Sequence, residues 1–284
     1  MSRPKLALVM LLVFLITALL FGSCYKSSAA RLSVVTSTSL IAQIVAQVGG
    51  DRVSVANIIP PAQCPGHFDV KAGDIEKLAN ADLFFLHGWQ GEKFSEQLIA
   101  SANNPDLVTV QLDIQGNWMI PAVQKEATDT ITATLCQVDS ENSTFYQQLA
   151  AEYKDRISAK ETEIRTRLNA VNLSAVNVLC SEQSNSSQAD FARWVGLNVV
   201  ATYGRPETMT PQVVRELVDT GRAANVTLVI DNLQSGEDAG AAVAEELGCT
   251  RIILSNFPGG FPDTETWEKA IDKNVQLIME SITH

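Results

Sequence analysis

The sequence predicts an α/β protein built as two parallel four-stranded β/α lobes that face a cleft and are joined by one long helix. Short β-branched or apolar runs alternate with amphipathic stretches in the first part of the chain and again in the last, four runs each time. Between Pro121 and Val171 the strand signal disappears, and apolar residues recur at near-heptad positions with charges between them.

A chain of 284 residues, 46% hydrophobic and 19% charged, has enough length and apolar content for two lobes of ordinary domain size. The formal net charge of −11 argues against a nucleic-acid partner, because phosphate binding needs clustered Lys and Arg. At the start, Arg3 and Lys5 precede an uncharged apolar run, Leu6 to Phe21, and then Gly22-Ser23-Cys24. The run is shorter than the roughly twenty residues that span a bilayer. Residues 1–23 therefore read as a signal peptide with a lipobox-like end, a retained membrane anchor being the alternative. Cys24 becomes the lipid anchor, and the small residues of 24–31 form a tether. The expected location is extracytoplasmic and membrane-anchored, at the cell surface or in the periplasm, as a monomer.

The N-terminal lobe covers 32–138. Leu32 to Thr36 reads as a strand, and Leu40 to Val48 as a helix closed by Gly49-Gly50. A second strand runs from Val53 to Ile59, where Pro60-Pro61 stops the ladder and forces a loop. Asp74 is the expected N-cap of a helix to Asn80. The strand Asp82 to Leu86 ends at His87-Gly88, a helix follows from Glu92 to Ala102, and Leu107 to Leu112 is the fourth strand. Pro121 to Cys136 reads as a helix. The connecting helix, 139–171, starts near Asp139-Ser140 and runs through Phe145, Leu149, Tyr153, Ile157, Ile164 and Leu168; thirty residues at 1.5 Å rise reach about 45 Å.

The C-terminal lobe, 172–284, repeats the alternation. Its strands are Ala175 to Cys180, Leu197 to Ala201, Val226 to Asp231 and Arg251 to Leu254. Its helices are Gln188 to Val195, Pro211 to Gly221 with Thr210 as N-cap, Ala239 to Gly248, and Thr264 to Ile282. The glycine-rich stretch Phe257 to Phe261 lacks the Lys-Ser/Thr of a phosphate loop and reads as a turn.

Parallel sheets bind ligands beyond the carboxyl ends of their strands, and this sorts the candidates. Cys64 and His67 stand three residues apart in the loop after the second strand, a spacing at which thiol and imidazole can face one ligand. His87 follows the third strand. Cys180 and Glu182 follow the first strand of the second lobe. Trp89 and Trp118 are candidate walls, Arg205 meets an anion or pairs with Glu207, and Asp231 closes a strand. Cys136 and Cys249 fall away from strand ends and belong to the fold. Cys64 and Cys180 form either a thiolate pair, favouring zinc or copper(I), or a disulfide that locks the lobes.

From Gly66-His67, the acidic helix Gly73 to Leu78, Ala81-Asp82 and the turn His87-Gly88, the chain resembles the substrate-binding lipoproteins of metal-ion ABC importers, the zinc/manganese type with two lobes joined by a rigid helix. The resemblance runs from about Leu32 to the C-terminus. It implies a divalent metal, zinc above all, or a metal chelate as ligand, membrane subunits of an ABC importer as partners, and no catalysis. It also implies a histidine where Gly116 stands, a glutamate where Asn232 stands, and an aspartate near Ser255-Asn256, so only His67 survives of that ligand set. The expectation is that Cys64, His67, Cys180 and Glu182 converge on the metal, with His87, Trp89, Trp118, Arg205 and Asp231 behind them or along the cleft. An extracytoplasmic enzyme with Cys64 as nucleophile, and an adhesin or scaffold that has lost metal binding, are the alternatives.

Overall fold

The computed structural model describes residues 31–88, 92, 94–182 and 188–283. The signal peptide, Cys24 and Trp89 lie outside the described residues.

Four strands, β1 (Leu32–Thr36), β2 (Val53–Asn57), β3 (Leu83–Leu86) and β4 (Val108–Gln111), form an all-parallel sheet in the order β2-β1-β3-β4. The chain lays β2 on one side of β1 and β3 on the other, with Thr36 opposite both Asn57 and Phe85. This reversal opens a crevice between the carboxyl ends of β1 and β3. The continuous apolar run Leu-Phe-Phe-Leu of β3 is buried at every position, as an inner strand covered on both faces requires. The second sheet repeats the plan with β5 (Asn177–Ser181), β6 (Asn198–Tyr203), β7 (Leu228–Asn232) and β8 (Thr250–Leu254) in the order β6-β5-β7-β8.

Helices α1 (Ser39–Gly49), α2 (Ala72–Ala79), α3 (Phe94–Ala102) and α4 (Pro121–Val138) belong to the first lobe. Asp74 does not cap α2 from outside. The helix starts at Ala72, and Asp74 at its third position accepts from the Lys71 backbone N–H at 3.0 Å, satisfying a donor that the helix leaves open. After a 3₁₀ turn at Ser140–Asn142 comes the connecting helix α5 (Ser143–Leu168), 26 residues and about 39 Å long. In the second lobe are α6 (Gln188–Val195), α7 (Pro211–Ala223), α8 (Ala241–Leu247) and α9 (Trp267–Thr283). Thr210 caps α7 as expected, its hydroxyl accepting from Val213 N. The last helix begins three residues later than the sequence suggested, because Thr264 is spent on the preceding loop: its hydroxyl donates to Phe261 O and its carbonyl accepts from Gly259 N.

Helix α5 is tied to both lobes. Its Tyr153 hydroxyl lies in the core between Gln43 of α1 and Gln124 of α4, with hydrogen bonds of 2.8 to 3.1 Å. Toward α9, Lys160 and Arg167 share the Asp272 carboxylate at 2.7 and 3.0 Å. The Arg165 guanidinium stacks over Trp194 of α6, 4.3 Å from the ring centre. One apolar cluster runs from Val34 and Phe85 through Tyr153 and Ile157 to Val178 and Ile271, so a single core passes through both sheets. Two smaller clusters, around Phe84 and around Val229, cover the opposite faces.

Candidate ligand cleft

The crevice at the first sheet is organised by Glu92. Its carboxyl group accepts from the Ser37 hydroxyl and from the backbone N–H groups of His87 and Gly88 at 2.8 and 2.9 Å, tying the ends of β1 and β3 together around a buried side chain. Gly88 turns with φ +71°, and a Cβ there would stand 2.2 Å from the Gln111 side chain, so the turn requires glycine. His87 is buried in the same network. Its Nε2 is 2.7 Å from Thr38 Oγ1, and its ring meets Trp118 edge-on at 4.6 Å. Burial pushes the imidazole pKa down to about 3, so it is neutral at physiological pH. His87 therefore supports the floor of the cleft from beneath.

The floor is made of carboxamides. Asn117 Nδ2 donates to Asn256 Oδ1 at 2.9 Å, joining the lobes, while Asn117 Oδ1 accepts from Met119 N. Gln234 reaches across to donate to Pro61 O at 2.8 Å, and its Oε1 accepts from Asn256 N. Ser39 at the start of α1 donates to Pro258 O at 2.8 Å. Trp118 is fully buried beside Asn117, its carbonyl accepting from Trp267 Nε1 at 3.1 Å. It braces the floor and does not form an open wall.

At the mouth, a 3₁₀ turn at Pro65–His67 projects the His67 imidazole toward the second lobe, where Nε2 lies 3.5 Å from Glu207 Oε1. Both side chains are more than half exposed, at 59% and 58%. Arg205 arrives from the same side as Glu207. Its Nη1 would be 2.9 Å from a Cβ on Gly66, so the guanidinium lies directly on the turn that carries His67. Cys64 begins that turn, its carbonyl accepting from His67 N.

Several expected ligands are elsewhere. Cys180 is fully buried inside β5, on the core face with Val178, and burial raises its thiol pKa far above the usual range. Two residues from Val178 on the same strand, Cys180 shares its face and points its thiol into the core, and the strand runs on to Ser181. Cys64 and Cys180 are both free thiols, with no disulfide between them. Asp231 is also no cleft residue. Its carboxylate accepts from Tyr203 Oη, Gly240 N and Arg251 Nη1 at 2.7 to 2.8 Å inside the second lobe, where burial raises its pKa against the pull of Arg251. Glu182 is exposed just past β5, its backbone N–H bound to Tyr203 O. Among the described residues, no three His, Cys, Asp or Glu side chains are grouped to hold a metal ion, so Cys64, His67 and Cys180 do not converge. The sequence reading missed Glu207 as the partner of His67, although its place after a strand end was a signal. Asn256 was marked only as a place where the resemblance expected an aspartate, and the amide contacts of Asn117 and Gln234 across the cleft were not foreseen.

Two facing parallel sheets, a connecting helix and an interlobe pair at the cleft mouth define a two-lobed binding protein. Residues 34–281 match the family described as zinc-uptake complex component A, periplasmic (ZnuA), and the chain belongs to that family. These are binding proteins and not enzymes. The chain is 26% identical over 199 residues to the manganese ABC transporter substrate-binding lipoprotein PsaA of Streptococcus pneumoniae, a match covering 62% of this chain and 64% of that protein. It therefore spans somewhat less than two thirds of that relative. With the manganese ABC transporter substrate-binding lipoprotein scaA of Streptococcus gordonii it shares 23% identity over 254 residues, covering 80% of each. The fold matches the SBP FpvC of P. aeruginosa in complex with Ni2+, with a TM-score of 0.75 at 20% identity over 89% of this chain and 97% of that one.

Proposed function

We propose that this chain is an extracytoplasmic substrate-binding lipoprotein, anchored through Cys24 and monomeric, that captures a divalent metal ion or a metal-bearing solute and delivers it to the membrane subunits of an ABC importer. Zinc leads the candidates. The observation that carries the reading is the pair His67–Glu207, one donor from each lobe, 3.5 Å apart. Zinc takes imidazole nitrogen at about 2.0–2.1 Å and carboxylate oxygen at about 2.0–2.2 Å, so a tetrahedral ion between them would set the two atoms about 3.4 Å apart. The pair stands near that separation. The family, and the manganese-transport relatives, support the same class of ligand.

The test is thermal unfolding of metal-stripped protein with zinc, manganese and nickel. A ligand at a hundred times its Kd adds about 2.7 kcal/mol, a rise of roughly 5–10 °C for a chain of this size. His67→Ala and Glu207→Ala should each abolish most of that rise. If none of these metals changes the melting temperature, the adhesin or scaffold reading takes its place.

A further inference from the structure

The glycine-rich turn Phe257 to Phe261 of the second lobe is shaped to receive the first. Ser39 donates to its Pro258 carbonyl at 2.8 Å. Gly259 turns with φ +78°, and a Cβ there would stand 3.1 Å from Pro61 Cγ, while a Cβ on Gly260 would collide with Ser255 Oγ and stand 3.0 Å from Gln234 Nε2. Gln234 is buried and fully engaged. Its Nε2 donates to Pro61 O at 2.8 Å and to Ser255 Oγ at 2.9 Å, and its Oε1 accepts from Asn256 N at 2.9 Å. Gln234 and the two glycines thus form a seat in the second lobe, and Pro61 of the first lobe occupies it.

Pro61 stands at the start of the loop that carries His67, and that loop is closed on itself. Gln63 N donates to Pro60 O at 2.9 Å, Gln63 Nε2 donates to His67 O at 3.2 Å, and His67 N donates to Cys64 O at 3.1 Å. Residues 60–67 are half-buried or exposed, whereas Ile59 before them is fully buried. With little apolar burial of its own, the loop depends on its seat for a fixed position. Glu207 also belongs to the second lobe, so the seat refers both members of the pair to one lobe by a route much shorter than the path through α5.

We propose that Gln234 is a positioning residue for His67: with the Gly259-Gly260 turn it holds, from the second lobe, the loop that presents the imidazole to the metal. This rests on the reading of His67 and Glu207 as the metal pair, and adds what sets their spacing. Zinc accepts its ligands within about 0.2 Å of the preferred distance, and losing a group that orients a ligand weakens metal binding ~10–100-fold.

Two variants test the seat from opposite sides. Gln234→Met keeps the bulk and removes the donor, while Gly259→Ala leaves Gln234 in place and pushes Pro61 away. In metal-free protein each should speed maleimide labelling of Cys64 several-fold, followed peptide by peptide by mass spectrometry. Ser39→Ala, which cuts the other bond to the turn and none to the loop, should change that rate much less. Cys180, buried in β5, should stay unlabelled and so report an intact fold; if one variant exposes it, the other decides. In calorimetric titration with zinc chloride, both variants should bind about ten-fold more weakly than the wild type or worse. Unchanged Cys64 labelling in both, or zinc affinity equal to the wild type's, would overturn the positioning role and leave the metal pair standing. Equal loosening by Ser39→Ala would assign the effect to lobe closure as a whole and overturn it as well. A wild type that binds no zinc would remove the metal pair and the positioning role together.

Discussion

His87 shows how far environment outweighs residue type. An imidazole at the end of a strand reads as a candidate ligand, yet here it is walled in by Thr38 and Trp118 and held neutral. Its folded pKa of about 3 lies below the ordinary 6.5, so the unfolded chain takes up a proton first as the medium acidifies. The contribution to stability is intact above pH 6.5 and is lost progressively as pH falls toward 3, to a limit of roughly 5 kcal/mol. Urea unfolding at pH 7 and pH 5 should show this loss, and His87→Gln should flatten it; an equal pH dependence in the variant would acquit His87. The contrast with Cys180 makes clear what the sequence could convey. His67 was legible because the Pro60-Pro61 break forces a loop after β2, whereas the face of Cys180 is decided by its even spacing from buried Val178, a choice between two apolar-looking faces that a short strand does not reveal.

At the level of elements, periodicity served best where packing is apolar. The near-heptad spacing marked six residues of α5; Tyr153, Ile157, Ile164 and Leu168 are buried, while Phe145 and Leu149 are half-buried. What holds the helix in register was less legible, because nothing in the spacing of Gln43 on α1 or Gln124 on α4 says that both meet the Tyr153 hydroxyl. Tyr153→Phe removes that hydroxyl and leaves two amides short of a partner in a dry core, which should cost about 1–3 kcal/mol in denaturant unfolding. The ion pairs of the same helix provide a control. Asp272 is a third exposed, so Asp272→Ala should cost about 1 kcal/mol or less although it severs two contacts. If the order of these two losses were reversed, the buried triad would not be what fixes α5.

For the whole molecule, the doubled four-strand pattern announced two sheets, and two sheets are present. It did not disclose that they share one core, because sequence patterning reports which residues seek burial and not which of them meet. The apolar cluster is continuous from Val34 to Ile271 by way of α5, so the lobes should lose their packing together. Calorimetry should record one transition with matching calorimetric and van't Hoff enthalpies, and two resolved peaks would contradict the shared core. The same continuity limits how a loaded molecule can announce itself. A spine fused into both halves leaves little room for a swing, so shape carries almost no message. If the proposed binding at the mouth holds, a receptor in the membrane would have to recognise the lip itself, where the His67 imidazole and the Glu207 carboxylate are more than half exposed.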